Sequence, residues 1–126
     1  MKKKIINTKD APAPIGPYSQ AVRTGNLLFI SGQIALIPET DLLANVSIKE
    51  ETEQVMKNLQ SILKAEDVDF KDVVKTTIFL TDMSYFNEVN EIYAKYFLTD
   101  FPARETIAVK GLPKNVHVEI SMIASL

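Results

Sequence analysis

Two residues carry most of the chemical interest in this chain. Arg104 is one of only two arginines, the other being Arg23, and it stands in FPARETIAV (101–109) after a Pro-Ala step and at the head of an apolar run. A guanidinium offers a rigid fork that grips a carboxylate through two parallel hydrogen bonds, and it stays charged when water is excluded. Glu119 stands mid-strand between Val118 and Ile120, where a carboxylate is costly to bury unless paired. It can serve as a general acid and base acting through a water. A plain ion pair between the two would account for the same residues, and at this level both accounts stand open.

Further candidates surround them. Tyr18 follows Gly16-Pro17 at the end of a rigid loop; it could stack on a small planar ligand, or be a core tyrosine with its hydroxyl tied to backbone. In Ser31-Gly32-Gln33 the glycine allows close backbone approach to a ligand, and equally a bulge. Asn90 falls on the apolar stripe of a helix near Phe86 and Tyr93, where an amide needs partners. His117 is the only histidine. Nothing else supports a Ser-His-Asp triad or a metal centre built on it, so a histidine on a surface strand is expected. Neither a nucleophile elbow, a Walker A sequence nor a GxGxxG is present.

The elements that must position these residues follow from periodicity. KKIIN reads as an edge strand guarded by lysine. DAPAPIGP, with three prolines and a glycine, is a stiff loop suited to a site wall. YSQAVRT and LLFISGQI form a hairpin turning at Gly25-Asn26, and ALIPETDLLANVS is irregular. Helical spacing of Val55, Leu59, Ile62 and Leu63 predicts a helix over 48–66, capped by a Ser47/Glu50 box. FKDVVKTTIFLTD is a strand with Val74, Thr76, Ile78 and Leu80 on one face and Lys75, Thr77 and Phe79 on the other. A second helix over 83–98 carries Phe86, Val89, Tyr93, Tyr96 and Phe97, with Ser84 as cap. RETIAV and VHVEISMIA close the chain. The fold class is therefore α+β: a sandwich of a mixed sheet with two helices on one face, in a single domain over 1–126.

Strand alternation places Arg104, Thr106 and Ala108 on one side of their strand, and Glu119 on the side of its own strand opposite Val118 and Ile120. If these strands are neighbours, Arg104 and Glu119 meet on the uncovered face, with Phe79, Ile123 and Ala108 about them. Such a half-apolar face is expected to be buried by another subunit, with a site between subunits.

Composition narrows the function classes. With 126 residues, 46% hydrophobic and 24% charged, the chain suits one soluble globular core. A net charge of −2 with scattered lysines argues against a nucleic-acid footprint. The absence of cysteine rules out disulfides, thiolate catalysis and cysteine-ligated metal. MKKKIINTKD lacks the apolar core of a signal peptide, and no run approaches the roughly 18 residues of a membrane span. A cytoplasmic location with no membrane partner is expected.

In order and spacing, APAPIGPYSQAV, FISGQIAL, DVVKTTIFLTDM, FPARETIAV and HVEISMIA resemble the RidA (YjgF) family of reactive intermediate deaminases, from about residue 4 to 124. The resemblance implies a chorismate-mutase-like fold assembled as a homotrimer with the sheets facing inward and sites in the clefts between subunits. It implies hydrolysis of 2-enamino and 2-imino acids to 2-oxo acids and ammonia without metal or cofactor, protecting pyridoxal-phosphate enzymes. Carried onto this chain, Arg104 binds the substrate carboxylate and Glu119 holds water and moves protons. Tyr18, Ser31, Gly32 and Asn90 are pocket residues, and Thr106 meets the ligand through its main chain. Two departures from the family pattern are Asp41, where a glycine is common, and a short segment before Pro102. Some members are described as endoribonucleases or translation inhibitors, a rival reading for which the chain offers no basic stripe or aromatic platform. A non-catalytic small-molecule-binding regulator is the third reading.

Overall fold

The computed structural model describes residues 2–126. Six strands run β1 Lys4–Ile6, β2 Ala21–Thr24, β3 Leu27–Gln33, β4 Val73–Leu80, β5 Ala103–Ala108 and β6 Val118–Ser125, with helices α1 Ile48–Ala65 and α2 Phe86–Ala94. They form one sheet in the order β1-β2-β3-β6-β4-β5. All pairings are antiparallel except β4 with β5. That parallel pair needs a crossover, which α2 supplies. Gly25 turns the β2–β3 hairpin with φ 57°, a conformation a side chain would disfavour.

The core lies between the helices and one face of the sheet. Val55, Leu59, Ile62 and Leu63 of α1 pack over Leu28, Ile30, Ile78, Leu80, Val118 and Ile120, all buried. The opposite face presents Phe29, Phe79, Ile107 and Ile123, and Phe29 and Ile107 are more than 40% exposed. A Lys75–Glu105 ion pair of 2.8 Å crosses that open face. The expected sandwich and its uncovered face are therefore present. Among the described residues, no helix is long and apolar enough to cross a membrane.

Several local expectations are corrected. Val74 does not join the core face: the β4–β6 register shifts between Val73 and Lys75, so Val73 is buried and Val74 is 46% exposed. Period-two reading cannot see such an inserted residue. The second helix begins as a short 3-10 turn at 83–85, capped by Asp82 rather than Ser84: Ser84 N donates to Asp82 Oδ1 at 2.8 Å. It ends at Ala94, not Leu98. The first helix stops at Ala65, one residue short, with Glu66 as its C-cap. The Ser47 half of the expected box is present, with Glu50 N donating to Ser47 Oγ at 3.1 Å.

The position of Asp41 has a backbone explanation. Its φ is 58°, in the left-handed region that glycine enters freely and Asp tolerates better than most residues. The loop keeps its turn, closed by an Asp41 N to Ile37 O bond of 2.8 Å.

Candidate active site

The sheet order changes the relation between Arg104 and Glu119. Strands β5 and β6 are consecutive in sequence but not neighbours; β4 lies between them. Arg104 is in register with Thr76, and Glu119 with Phe79. Registered residues share a face. Thr76 is wholly buried on the helix side, so Arg104 looks toward α2, and Thr106 and Ala108 face the same way beside Ile78 and Leu80. Glu119 looks away from the helices. The expectation that Arg104 and Glu119 meet on the uncovered face is therefore wrong within one chain, as is the placing of Ala108 there. It failed because it took consecutive strands for neighbours. No ion pair joins the two residues.

Each residue instead anchors its own cleft. The first is an open cleft of about 300 Å³ lined by Asn90, Tyr93, Ala94, Phe101, Pro102 and Arg104. Arg104 Nη1 donates to Asn90 Oδ1 at 2.7 Å. Its Cζ lies 5.0 Å from the Tyr93 ring centroid and 5.6 Å from that of Phe86, within range for cation–π attraction. Asn90 thus has the partner that its place on the helix stripe demanded. Among the described residues no carboxylate pairs with Arg104, so its positive charge is not neutralised. Thr106 lies on the same strand face but lines neither cleft, and its buried hydroxyl has no hydrogen-bond partner among the described residues.

The second cleft, about 350 Å³, is lined by Ile15, Tyr18, Ser31, Gly32, Ile34, Pro113 and Glu119. Here four of the expected residues come together. The β3–β6 register shifts between Ile30 and Gln33, which makes Ser31-Gly32 a bulge. Gly32 is required by Glu119: a Cβ there would lie 2.8 Å from the carboxyl carbon. The Glu119 side chain lies across the bare backbone, and burial raises its pKa above the usual carboxylate range. Ser31 Oγ donates to Ser19 O at 2.6 Å. Tyr18, 47% exposed, accepts a 3.3 Å bond from Ile15 N at its hydroxyl. It is both tied to backbone and turned to solvent, so its O–H proton remains free to donate.

Buried polar residues that sequence reasoning passed over hold these walls. Gln20 grips the proline-rich loop: its Oε1 accepts from Thr8 N at 2.7 Å, and its Nε2 donates to Pro12 O at 2.9 Å. Asn58 Nδ2 donates to Ile34 O and Leu36 O at 3.0 and 2.9 Å. Wholly buried Glu51 accepts from His117 N, His117 Nδ1 and Val118 N at 2.7, 2.8 and 2.9 Å. His117 is therefore not the idle surface histidine expected; it ties the start of β6 to α1. The signal for all three was a polar residue at a helix-core or strand-end position, which must find partners. No three His, Asp or Glu among the described residues are grouped as metal ligands.

Comparison with known proteins agrees with the fold and the motifs. A family model described as endoribonuclease L-PSP matches residues 8–126. The chain is 52% identical over 126 residues to Reactive Intermediate Deaminase A, chloroplastic, of Arabidopsis thaliana, covering all of this chain and 67% of that protein. It is 47% identical over 122 residues to the human 2-iminobutanoate/2-iminopropanoate deaminase, covering 97% and 89% of the two chains. Among solved structures, YyfA of the Rid protein family from Yersinia pestis superposes with a TM-score of 0.96 at 45% identity, over 99% of this chain and 100% of that one. With a family match across nearly its whole length and relatives near half identity, the chain belongs to the endoribonuclease L-PSP family, which includes the RidA-type reactive intermediate deaminases.

Proposed function

We propose that this protein hydrolyses 2-aminoacrylate/2-iminopropanoate and 2-aminocrotonate/2-iminobutanoate to 2-oxo acids and ammonia, protecting pyridoxal-phosphate enzymes in the cytoplasm from these reactive species. The observation that carries the reading is a pair of complementary half-sites. One offers an uncompensated guanidinium, held only by neutral partners. The other offers a carboxylate with a raised pKa beside Tyr18 and Ser31, without an ion-pair partner among the described residues. A substrate bearing a carboxylate next to a carbon that must receive water needs both.

In this mechanism Arg104 grips the substrate carboxylate, and main-chain groups about Thr106 fix the ligand plane. Glu119 orients a water and takes one of its protons as the oxygen bonds to C2. The C=N π pair moves to nitrogen, to which Glu119 passes that proton. The hydroxyl proton of the resulting carbinolamine then travels to the nitrogen by way of Glu119, the C–N bond breaks as the C2 carbonyl forms, and ammonia leaves. Spontaneous hydrolysis already competes, so correct placement of one water supplies much of the needed acceleration.

The opposite facing of Arg104 and Glu119 supports an inter-subunit site: a second copy must bring its Glu119 and Tyr18 to the Arg104 cleft. The half-apolar open face supports the same assembly, a homotrimer of chorismate-mutase-like subunits with their sheets inward. No cofactor, metal or nucleic acid enters this reading.

The test generates 2-aminoacrylate or 2-aminocrotonate with a dehydratase and traps the imine with semicarbazide. The protein at micromolar concentration should lower the semicarbazone yield; no effect sinks the proposal. Arg104→Lys keeps the charge but loses the fork and should be impaired. RNA cleavage that survives Arg104→Ala and Glu119→Ala would instead favour the nuclease, and 2-oxo acid binding without ammonia release would favour the regulator.

A further inference from the structure

Arg104 sits on an edge strand, where a long flexible side chain loses much rotamer entropy if it is to present one geometry. A neighbouring carboxylate would hold it, but would also occupy the fork and cancel the charge. The chain uses a different support. The Tyr93 ring lies 5.0 Å from the guanidinium carbon. The ring is fixed by two contacts and by burial. Its hydroxyl bonds Thr76 Oγ1 at 2.9 Å, Phe97 packs on it at 4.7 Å between centroids, and it is only 5% exposed. Thr76 is itself wholly buried and registers directly beside Arg104 across β4–β5. The strand that carries the arginine thus pairs with the strand that tethers its platform.

We propose that Tyr93, tethered through Thr76, is a positioning residue that holds the Arg104 fork in the orientation required for the substrate carboxylate while leaving its charge uncompensated. The inference rests on the reading of Arg104 as the carboxylate clamp. Asn90 takes one Nη1 hydrogen, and the Tyr93 ring restrains the guanidinium as an uncharged partner.

The test measures KM and kcat in the semicarbazide assay, and binding of 2-oxobutanoate by calorimetry, for Tyr93→Leu, Tyr93→Phe, Thr76→Val and Thr76→Ser. Each is made in the wild-type and the Arg104→Lys backgrounds. Tyr93→Leu removes the platform and should lower kcat/KM about tenfold, chiefly through KM. Tyr93→Phe and Thr76→Val remove the tether and should raise KM roughly threefold, while Thr76→Ser restores it. In Arg104→Lys, Tyr93→Leu should change either readout by less than about twofold, because no guanidinium fork remains to be oriented. Equal losses in both backgrounds would show a merely structural role and overturn the proposal, as would unchanged KM in folded Tyr93→Leu. Should Tyr93→Leu not fold, unchanged KM in Tyr93→Phe and Thr76→Val overturns it. A wild type silent in turnover but binding 2-oxobutanoate through Arg104 would sink the deaminase alone, since the same coupling is then read from Kd.

Discussion

Gly32→Ala separates the catalytic geometry from the fold. A Cβ at this position would lie 2.8 Å from the Glu119 carboxyl carbon and 3.1 Å from its Cγ. Carbon–carbon contacts relax at about 3.5–4.0 Å, so the carboxyl group must retreat by roughly 0.7–1.2 Å. It is the free end of a flexible side chain facing an open cleft. The backbone therefore need not move, and the change in stability should stay within about 0.5 kcal/mol. A base displaced by an ångström no longer aims its water, at a cost on the order of 100-fold in kcat/KM. That corresponds to about 2.7 kcal/mol of lost transition-state stabilisation. Thermal melts, with the semicarbazide competition run alongside, read both effects in one preparation. Because the loss acts through Glu119, Gly32→Ala should cost nothing further in a Glu119→Gln background. A folded Gly32→Ala enzyme with wild-type kcat/KM would refute the account of Gly32 as the cradle of the base.

Glu119 also predicts pH dependence, since burial raises its pKa. In the assay, kcat/KM should climb with pH along a limb centred above the exposed-glutamate value, and Glu119→Gln should lack that limb. Stability runs the other way. The native state suffers no penalty from this group below the unfolded pKa, and loses stability as pH rises through the higher folded value. Glu119→Gln should therefore melt no lower than wild type at neutral pH. Glu51→Ala leaves the His117 and Val118 amides without their acceptor and should cost about 3 kcal/mol in urea unfolding; a midpoint equal to wild type would contradict the tie. Asp41→Gly relieves a left-handed φ of 58° and should add about 0.5 kcal/mol by the same measurement, part of the gain being lost to chain entropy; a lower midpoint would contradict it.

What the residue pattern revealed and what it hid have separate physical origins. Periodicity located every strand and both helices, because burying one face imposes a period on each element. It misplaced Val74 and could not choose at Ser31-Gly32, because a bulge inserts one residue without changing composition. The error over Arg104 was topological. Alternation within β5 was right, but which face of the sheet that side joins depends on the strand beside it, and β4 rather than β6 lies there. Glu51 went unread because a glutamate in a helix's first turn is ordinarily solvated, although its place four residues before Val55 sets it on the core stripe. The identity of its partners, His117 and Val118, comes only from the fold. Arg104, Glu119, Tyr18, Ser31, Gly32 and Asn90 were legible as candidate site residues, and their division between two clefts was not.

That division has an energetic logic. Arg104 and Glu119 in contact within one chain would satisfy each other. The pair would hold the glutamate ionised with a depressed pKa and leave the arginine fork filled. A substrate carboxylate would then have to displace an internal one before binding. Placed on opposite faces of the sheet, the two groups stay unpaired while the chain folds. In the proposed assembly they approach only across the interface, with the width of the cleft between them. Arg104 is meanwhile kept in place by an amide oxygen and two aromatic rings, and Glu119 by the bare backbone of Gly32. None of these partners carries a charge, so in the proposed site the guanidinium is left uncompensated for the ligand's carboxylate.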